Sequence, residues 1–159
     1  MTDFAPAYDV GDLVTPLSMS TVMTYRQASG ATPIPKGSPV ILSAGITDGT
    51  AIATIAANGA ADDPAVIGVA METSAPNDGA ATPLTTANSV VPVIMHGITK
   101  VKTTTAITLG RGVVTSATAG EVRLTAIAAF DAQHTAMHLG YALSAFAADN
   151  DLGLIYVVK

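Results

Sequence analysis

The chain reads as a small all-β protein, a β-barrel or β-sandwich of short strands. Three observations predict it. Short runs rich in Val, Ile, Thr and Leu recur at close, fairly regular spacing between Gly, Pro, Asn and Asp; that is the pattern of a barrel or sandwich. No long amphipathic helical period stands out. Two stretches of the chain echo each other in residue type and in order of elements, which predicts a pseudo-duplicated β unit.

The first dozen residues differ from the rest. They carry Phe4, Pro6 and Tyr8 with Asp3, Asp9 and Asp12, and read as an N-terminal arm, residues 1–12, ahead of a single β domain, residues 13–159. A frayed terminus is the plain alternative. Two aromatics in a chain with three Phe, four Tyr and no Trp favour an arm that packs on a partner.

Strands are predicted at Leu13–Leu17, Pro39–Ser43, Ala51–Ala56, Val66–Thr73, Val90–Met95, Ile98–Lys102, Gly112–Ser116, Val122–Ala128, Leu139–Ser144 and Leu154–Val158. Turn signals fall between several of them: Asp48-Gly49, Asn58-Gly59, Asn77-Asp78-Gly79 and His96-Gly97. Glycine supplies positive φ there, and Asn or Asp tolerates it. Thr125–His138 holds five alanines and neither Gly nor Pro, so a short helix is admissible in that segment.

The echo aligns Gly37-Ser38-Pro39-Val40-Ile41-Leu42-Ser43-Ala44 with Gly110-Arg111-Gly112-Val113-Val114-Thr115-Ser116-Ala117. It continues as Ile55-Ala56-Ala57 with Ile127-Ala128-Ala129, and as Ile67 to Met71 with Leu139 to Leu143. Each half ends in a β run, Val90–Met95 and Leu154–Val158. Two such units would form one closed barrel or two packed sheets, and closure removes strand edges that template aggregation.

Composition narrows the function. Only 12% of residues are charged against 49% hydrophobic, and mean hydropathy is +0.46; an average domain carries roughly 25% charged residues. A surface of Ala, Thr, Ser and Gly has little self-repulsion and few side chains that are costly to desolvate, which suits subunit contact. A net charge of −5 and seven scattered basic residues make no stripe for phosphates, so no nucleic-acid partner is expected. No apolar run approaches the roughly 18 residues of a membrane-spanning helix, so no membrane partner is expected either. Zero Cys removes disulfides and thiolate chemistry. The start lacks the basic and apolar regions of a signal peptide, which predicts synthesis in a cytoplasm.

Catalysis is not expected. There is no Gly-x-Ser-x-Gly elbow and no Cys nucleophile. Of the three histidines, His96 precedes Gly97, while His134 and His138 stand four apart without the Glu of a His-Glu-x-x-His site or an evident third ligand. A hydrolase built on His96 or His134 with a nearby Asp lacks a nucleophile arrangement. Asp62-Asp63 and Asp149-Asn150-Asp151 read as turn residues; the latter lacks the Gly and closing Glu of a calcium loop. Gly110-Arg111-Gly112 lacks the helix and Lys-Ser/Thr ending of a phosphate loop, and reads as a turn before a strand, mirrored by Lys36-Gly37. Lys100 and Lys102 alternate onto one strand face, toward water or an acidic partner. No cofactor or metal is implied.

The succession Pro35-Lys36-Gly37-Ser38-Pro39-Val40-Ile41-Leu42, Val66-Ile67-Gly68-Val69-Ala70, Val91-Pro92-Val93-Ile94-Met95-His96-Gly97-Ile98, Leu109-Gly110-Arg111-Gly112-Val113 and Leu139-Gly140-Tyr141-Ala142-Leu143 resembles the capsid decoration, or cement, proteins of tailed bacteriophages. The resemblance spans about residues 35–158 and rests on the order and spacing of glycine-marked strands. It implies a β protein on the outer surface of the mature head, a homotrimer at local three-fold positions, whose partner is the major capsid protein and whose role is to clamp neighbouring capsid subunits. It carries no catalytic residue. Phe4 and Tyr8, outside the matched stretch, are the candidate capsid contacts because the arm is aromatic. A phage tail or fibre component, or a surface adhesin module, is the alternative, since those are also Thr- and Ala-rich β proteins.

Overall fold

A computed structural model describes residues 10–14, 17–27, 34–44, 54–57, 60–71, 90–125 and 137–159. One turn of 3-10 helix, Leu17–Met19, precedes nine strands: β1 Thr21–Gln27, β2 Pro39–Ala44, β3 Thr54–Ala57, β4 Val66–Ala70, β5 Val90–Thr103, β6 Gly112–Thr115, β7 Glu121–Leu124, β8 His138–Ala142 and β9 Leu152–Val158. The fold is all-β, as the sequence predicts.

The strands form one sheet in the order β1-β3-β2-β4-β5-β7-β6-β8-β9, with two further pairings, β1 to β5 and β5 to β9. Those pairings close the sheet twice. The first ring is β1-β3-β2-β4-β5 and the second is β5-β7-β6-β8-β9, so β5 is a wall of both. Of the two architectures left open by the sequence, the barrel is the one formed, and each repeat closes a small barrel of its own.

The duplication holds down to individual pairs. In the first ring β1 and β3 are parallel and all other neighbours antiparallel; in the second, β5 and β7 take the parallel role. Val40 faces Gly68 and Ile41 faces Val66 across a bulge; Val113 faces Gly140 and Val114 faces His138 across the same bulge. Gly37 N–H donates to Ala70 O at 2.8 Å and Ala70 N–H to Ser38 O at 2.9 Å; Gly110 N–H donates to Ala142 O at 2.8 Å and Ala142 N–H to Arg111 O at 2.9 Å. Each β2-type strand is led in by a turn closed from residue i to i+3, Pro35–Ser38 and Thr108–Arg111, whose third residue is Gly at φ 80° and 78°. That is the demand of a type II turn, and it explains the Lys36-Gly37 and Leu109-Gly110 pairs.

Gly68 and Gly140 answer a different need. A Cβ on Gly68 would lie 2.3 Å from Ile94 O, and one on Gly140 would lie 2.0 Å from Tyr156 O. Five strands make a narrow tube, and a side chain at this bulge would collide with the facing backbone.

The described core falls into two clusters. Ile34, Val40, Ala70, Val91 and Val93 fill the first ring. Their counterparts Ile107, Val113, Ala142 and Ile155 fill the second, joined by Val101, Val122 and Phe146. Gly153 occupies the position of Val91, and a Cβ there would meet the Phe146 ring at 2.7 Å; Phe146, held by mutual backbone bonds with Ile107, supplies the missing volume.

Three expectations are corrected. Val90–Met95 and Ile98–Lys102 are not two strands around a His96-Gly97 turn but the single strand β5. Gly97 does adopt a positive φ, 141°, but inside an unbroken strand, where β5 leaves the first ring for the second. The described residues of the predicted Leu13–Leu17 strand are not in one: Leu13 makes an isolated bridge to Thr99, and Leu17 opens the 3-10 turn. The first strand among the described residues, Thr21–Gln27, has no Gly or Pro directly beside it and buries only Gln27, so its sequence gives a weak signal. The echo of Ile55-Ala56-Ala57 is misaligned: the counterpart of β3 is β7, Glu121–Leu124, because Thr54 and Ile55 pair with β1 as Glu121 and Val122 pair with β5. Ile127 to Ala129 and the turn signals at 48–49, 58–59 and 77–79 lie outside the described residues, as does most of the 125–138 segment.

Candidate functional site

Successive residues of a strand face opposite ways, and the core clusters show where each face goes. Ala70 and Val93 point into the first ring, whereas their neighbours Val69 and Ile94 join the second ring's cluster together with Val66. The outer wall of the first ring thus packs on the second, beside Leu139 and Val157. Asp62 and Asp63 tie this junction. Asp62 N–H donates to Thr115 O at 3.1 Å, Asp63 N–H donates to the Thr115 hydroxyl at 2.8 Å, and the Asp62 carboxylate pairs with Arg123. The turn reading of this pair holds, since Asp62 has φ 55° and Asp63 Oδ1 accepts from Ala65 N–H at 2.9 Å. What the sequence reading missed is that the turn straps one repeat to the other.

The same wall in the second repeat carries different residues. Tyr141 stands where Val69 stands, Tyr156 where Ile94 stands, and His138 where Val66 stands. Tyr141 and Tyr156 face each other across β8 and β9. The His138 and Tyr141 rings meet edge-on at 4.5 Å, and those of His96 and Tyr156 at 5.0 Å. The Tyr156 hydroxyl is 2.6 Å from His96 Nε2. A stripe of His138, Tyr141, Tyr156 and His96 therefore runs across β8, β9 and β5, half-exposed throughout, with exposed Leu143 and Val158 at its margin. Rings with an apolar body and a polar tip suit a protein contact that is partly wet.

Of the residues singled out in the sequence, His96 and His138 belong to this stripe. His134, Phe4 and Tyr8 lie outside the described residues. Lys102 pairs with Glu121 at 2.8 Å, and Lys36 with Asp12 at 2.6 Å. Asp149-Asn150-Asp151 is a turn, as its composition predicts: Asn150 has φ 63°, and the Asp151 carboxylate accepts from Ala147 N–H at 2.6 Å and Leu152 N–H at 2.8 Å. These two bonds hold the Asp151 carboxyl below the usual carboxylate range. Among the described residues no three His, Asp or Glu gather as a metal would require, and no helix is long and apolar enough to cross a membrane. The tyrosines of the stripe were missed, although the aligned Gly68-Val69-Ala70 and Gly140-Tyr141-Ala142 already show an aliphatic residue exchanged for an aromatic one.

No protein-family profile and no curated protein matches the sequence. Among solved structures, the chain is similar to the N base of the head fiber protein gp8.5 of bacteriophage phi29, with a TM-score of 0.53 at 18% identity, over 87% of this chain and 94% of that one. At that identity the likeness is one of fold: the paired rings are an architecture that the base of a phage head fiber also uses.

Proposed function

We propose that this protein is a structural component of a phage virion that binds the outer surface of the mature head, as a homotrimer, and stabilises it by bridging major capsid protein subunits. The observation that carries this reading is the shared fold with a phage head fiber base over nearly the full length of both chains. The sparse charge and the glycine-marked strand order support it. The mechanism is linkage. A protein that binds only the mature lattice stabilises it by an amount set by its affinity and free concentration, and the effect multiplies over many sites. Contact through the Phe4 and Tyr8 arm would serve this role without chemistry.

Undecorated mature heads mixed with the purified protein should co-sediment with it saturably, and should then resist heat better than bare heads. Absence of co-sedimentation at saturating concentration overturns the proposal. A second reading has its own support, because the similar structure is a fiber base: this chain would then root a fiber or tail appendage. Antibody-labelled virions in the electron microscope separate the two, with label on head facets in the first case and on projecting fibers or the tail in the second.

A further inference from the structure

The two repeats have one backbone plan, but they are covered differently. In the first, the outer wall of β4 and β5 is buried: Val69 and Ile94 are fully enclosed by the second repeat, and Met71 packs half-buried beside them. In the second, the matching wall is Tyr141, Tyr156 and Leu143. Leu143 N–H donates to Leu154 O as Met71 N–H donates to Pro92 O, yet Leu143 is 42% exposed.

The receiving side of the junction shows the reverse. In the second repeat Leu139, Val157 and Thr115 are buried where the first repeat meets them. Their counterparts in the first repeat are Ile67, Met95 and Leu42. Ile67 and Met95 are half-buried, and Leu42 is 40% exposed where Thr115 is 0%. Among the described residues the chain thus builds this interface once within itself and leaves one wall, Tyr141, Tyr156 and Leu143, and one receiving end, Ile67, Met95 and Leu42, without the matching contact, although the Tyr25 hydroxyl reaches Met95 Sδ at 3.4 Å.

We propose that a second copy of this chain fills both. The β8–β9 wall of one copy seats on the receiving end of the first repeat of the next, repeating between chains the contact made within one. The substitutions fit that assignment. The free wall is bulkier than the enclosed one, with Tyr for Val and Ile. The free end is more apolar than the enclosed one, with Leu for Thr and the adaptable Met95 for Val157. Such a contact is heterologous, since wall and end are different surfaces, and it grows until it closes as a ring. Closure at three copies gives the trimer of the functional proposal. The contact does not depend on capsid binding: failure to bind heads would leave it standing, and its failure would leave head binding to be judged by co-sedimentation.

The test uses Leu143→Arg, which blocks the wall, and Leu42→Arg, which blocks the end, with mass measured by light scattering. Both side chains are exposed, so the circular dichroism spectra of the variants should stay those of the wild type. Leu143→Ser and Leu42→Ser provide the same test without an added charge. Wild type should be a closed oligomer larger than a dimer, and each variant alone a folded monomer. An equimolar mixture of the two should form a dimer, because one chain retains a working end and the other a working wall. A monomeric wild type at high concentration, variants that keep the wild-type mass, or a mixture that stays monomeric would each overturn the proposal.

Discussion

The two repeats share pairing, bulge, leading turn and packing glycine, yet their outer walls have diverged. In the first repeat the wall is aliphatic and enclosed; in the second it is aromatic, carries two of the chain's three histidines and is half-exposed. Positions that hold the backbone plan have kept their residue type: Gly37 and Gly110, Val40 and Val113, Gly68 and Gly140, Ala70 and Ala142. Positions on the wall have not. The divergence therefore follows what touches the wall, not what the ring needs to close, and it is the ground for proposing that a second copy covers the aromatic wall.

The largest expected effect is at the shared glycine. Gly140→Val places side-chain atoms against Tyr156 O, and Gly68→Val does the same against Ile94 O. Each should cost about 4 kcal/mol or more, or abolish folding, in urea unfolding. A tolerated valine at either position would break the equivalence of the repeats. Next is the core. Val93 and Ile155 are counterparts, both fully buried. Ile155→Ala should cost about 3 kcal/mol, and Val93→Ala less by about one buried methylene, roughly 0.8 kcal/mol. A reversed order would show that the two ring cores are not packed alike.

Smaller is the strap between repeats. Arg123→Ala should cost about 0.5–1 kcal/mol, since both partners are partly solvated. A double-mutant cycle with Asp62→Ala should show coupling of similar size; independent effects would remove the strap from the account. The smallest effect is that of Asp151. Its carboxyl pKa is lowered in the folded protein, so its contribution is present above the ordinary carboxylate range and is lost as pH falls through the folded pKa. Protection of the Ala147 and Leu152 amides, relative to intrinsic exchange at the same pH, should fall in acid, and Asp151→Ala should bring the same loss at neutral pH.

Much of the plan was legible in the sequence. Glycine turns, strand runs and the echo each reflect a local demand of the backbone, and local demands leave local marks. The doubly closed sheet left no such mark. It depends on β5 running unbroken through His96-Gly97, where a dipeptide typical of turns sits inside a strand because neighbours on both edges hold it straight. β1 escaped notice for a related reason: pairing with β5, rather than its own alternation, makes it a strand. The stripe was hidden because its members come from three strands and meet only through register. The His138 ring meets that of Tyr141 edge-on, a contact that its spacing from His134, which lies outside the described residues, does not announce.

A cryo-microscopy reconstruction of virions carrying this chain would show where the copies sit and which surfaces they join. Paired-ring density should lie on the outside of the head, with the Tyr141 and Tyr156 wall of each copy against the Leu42 and Met95 end of the next. Heads without such density, or copies whose Tyr141 and Tyr156 walls face open solvent, would contradict that arrangement.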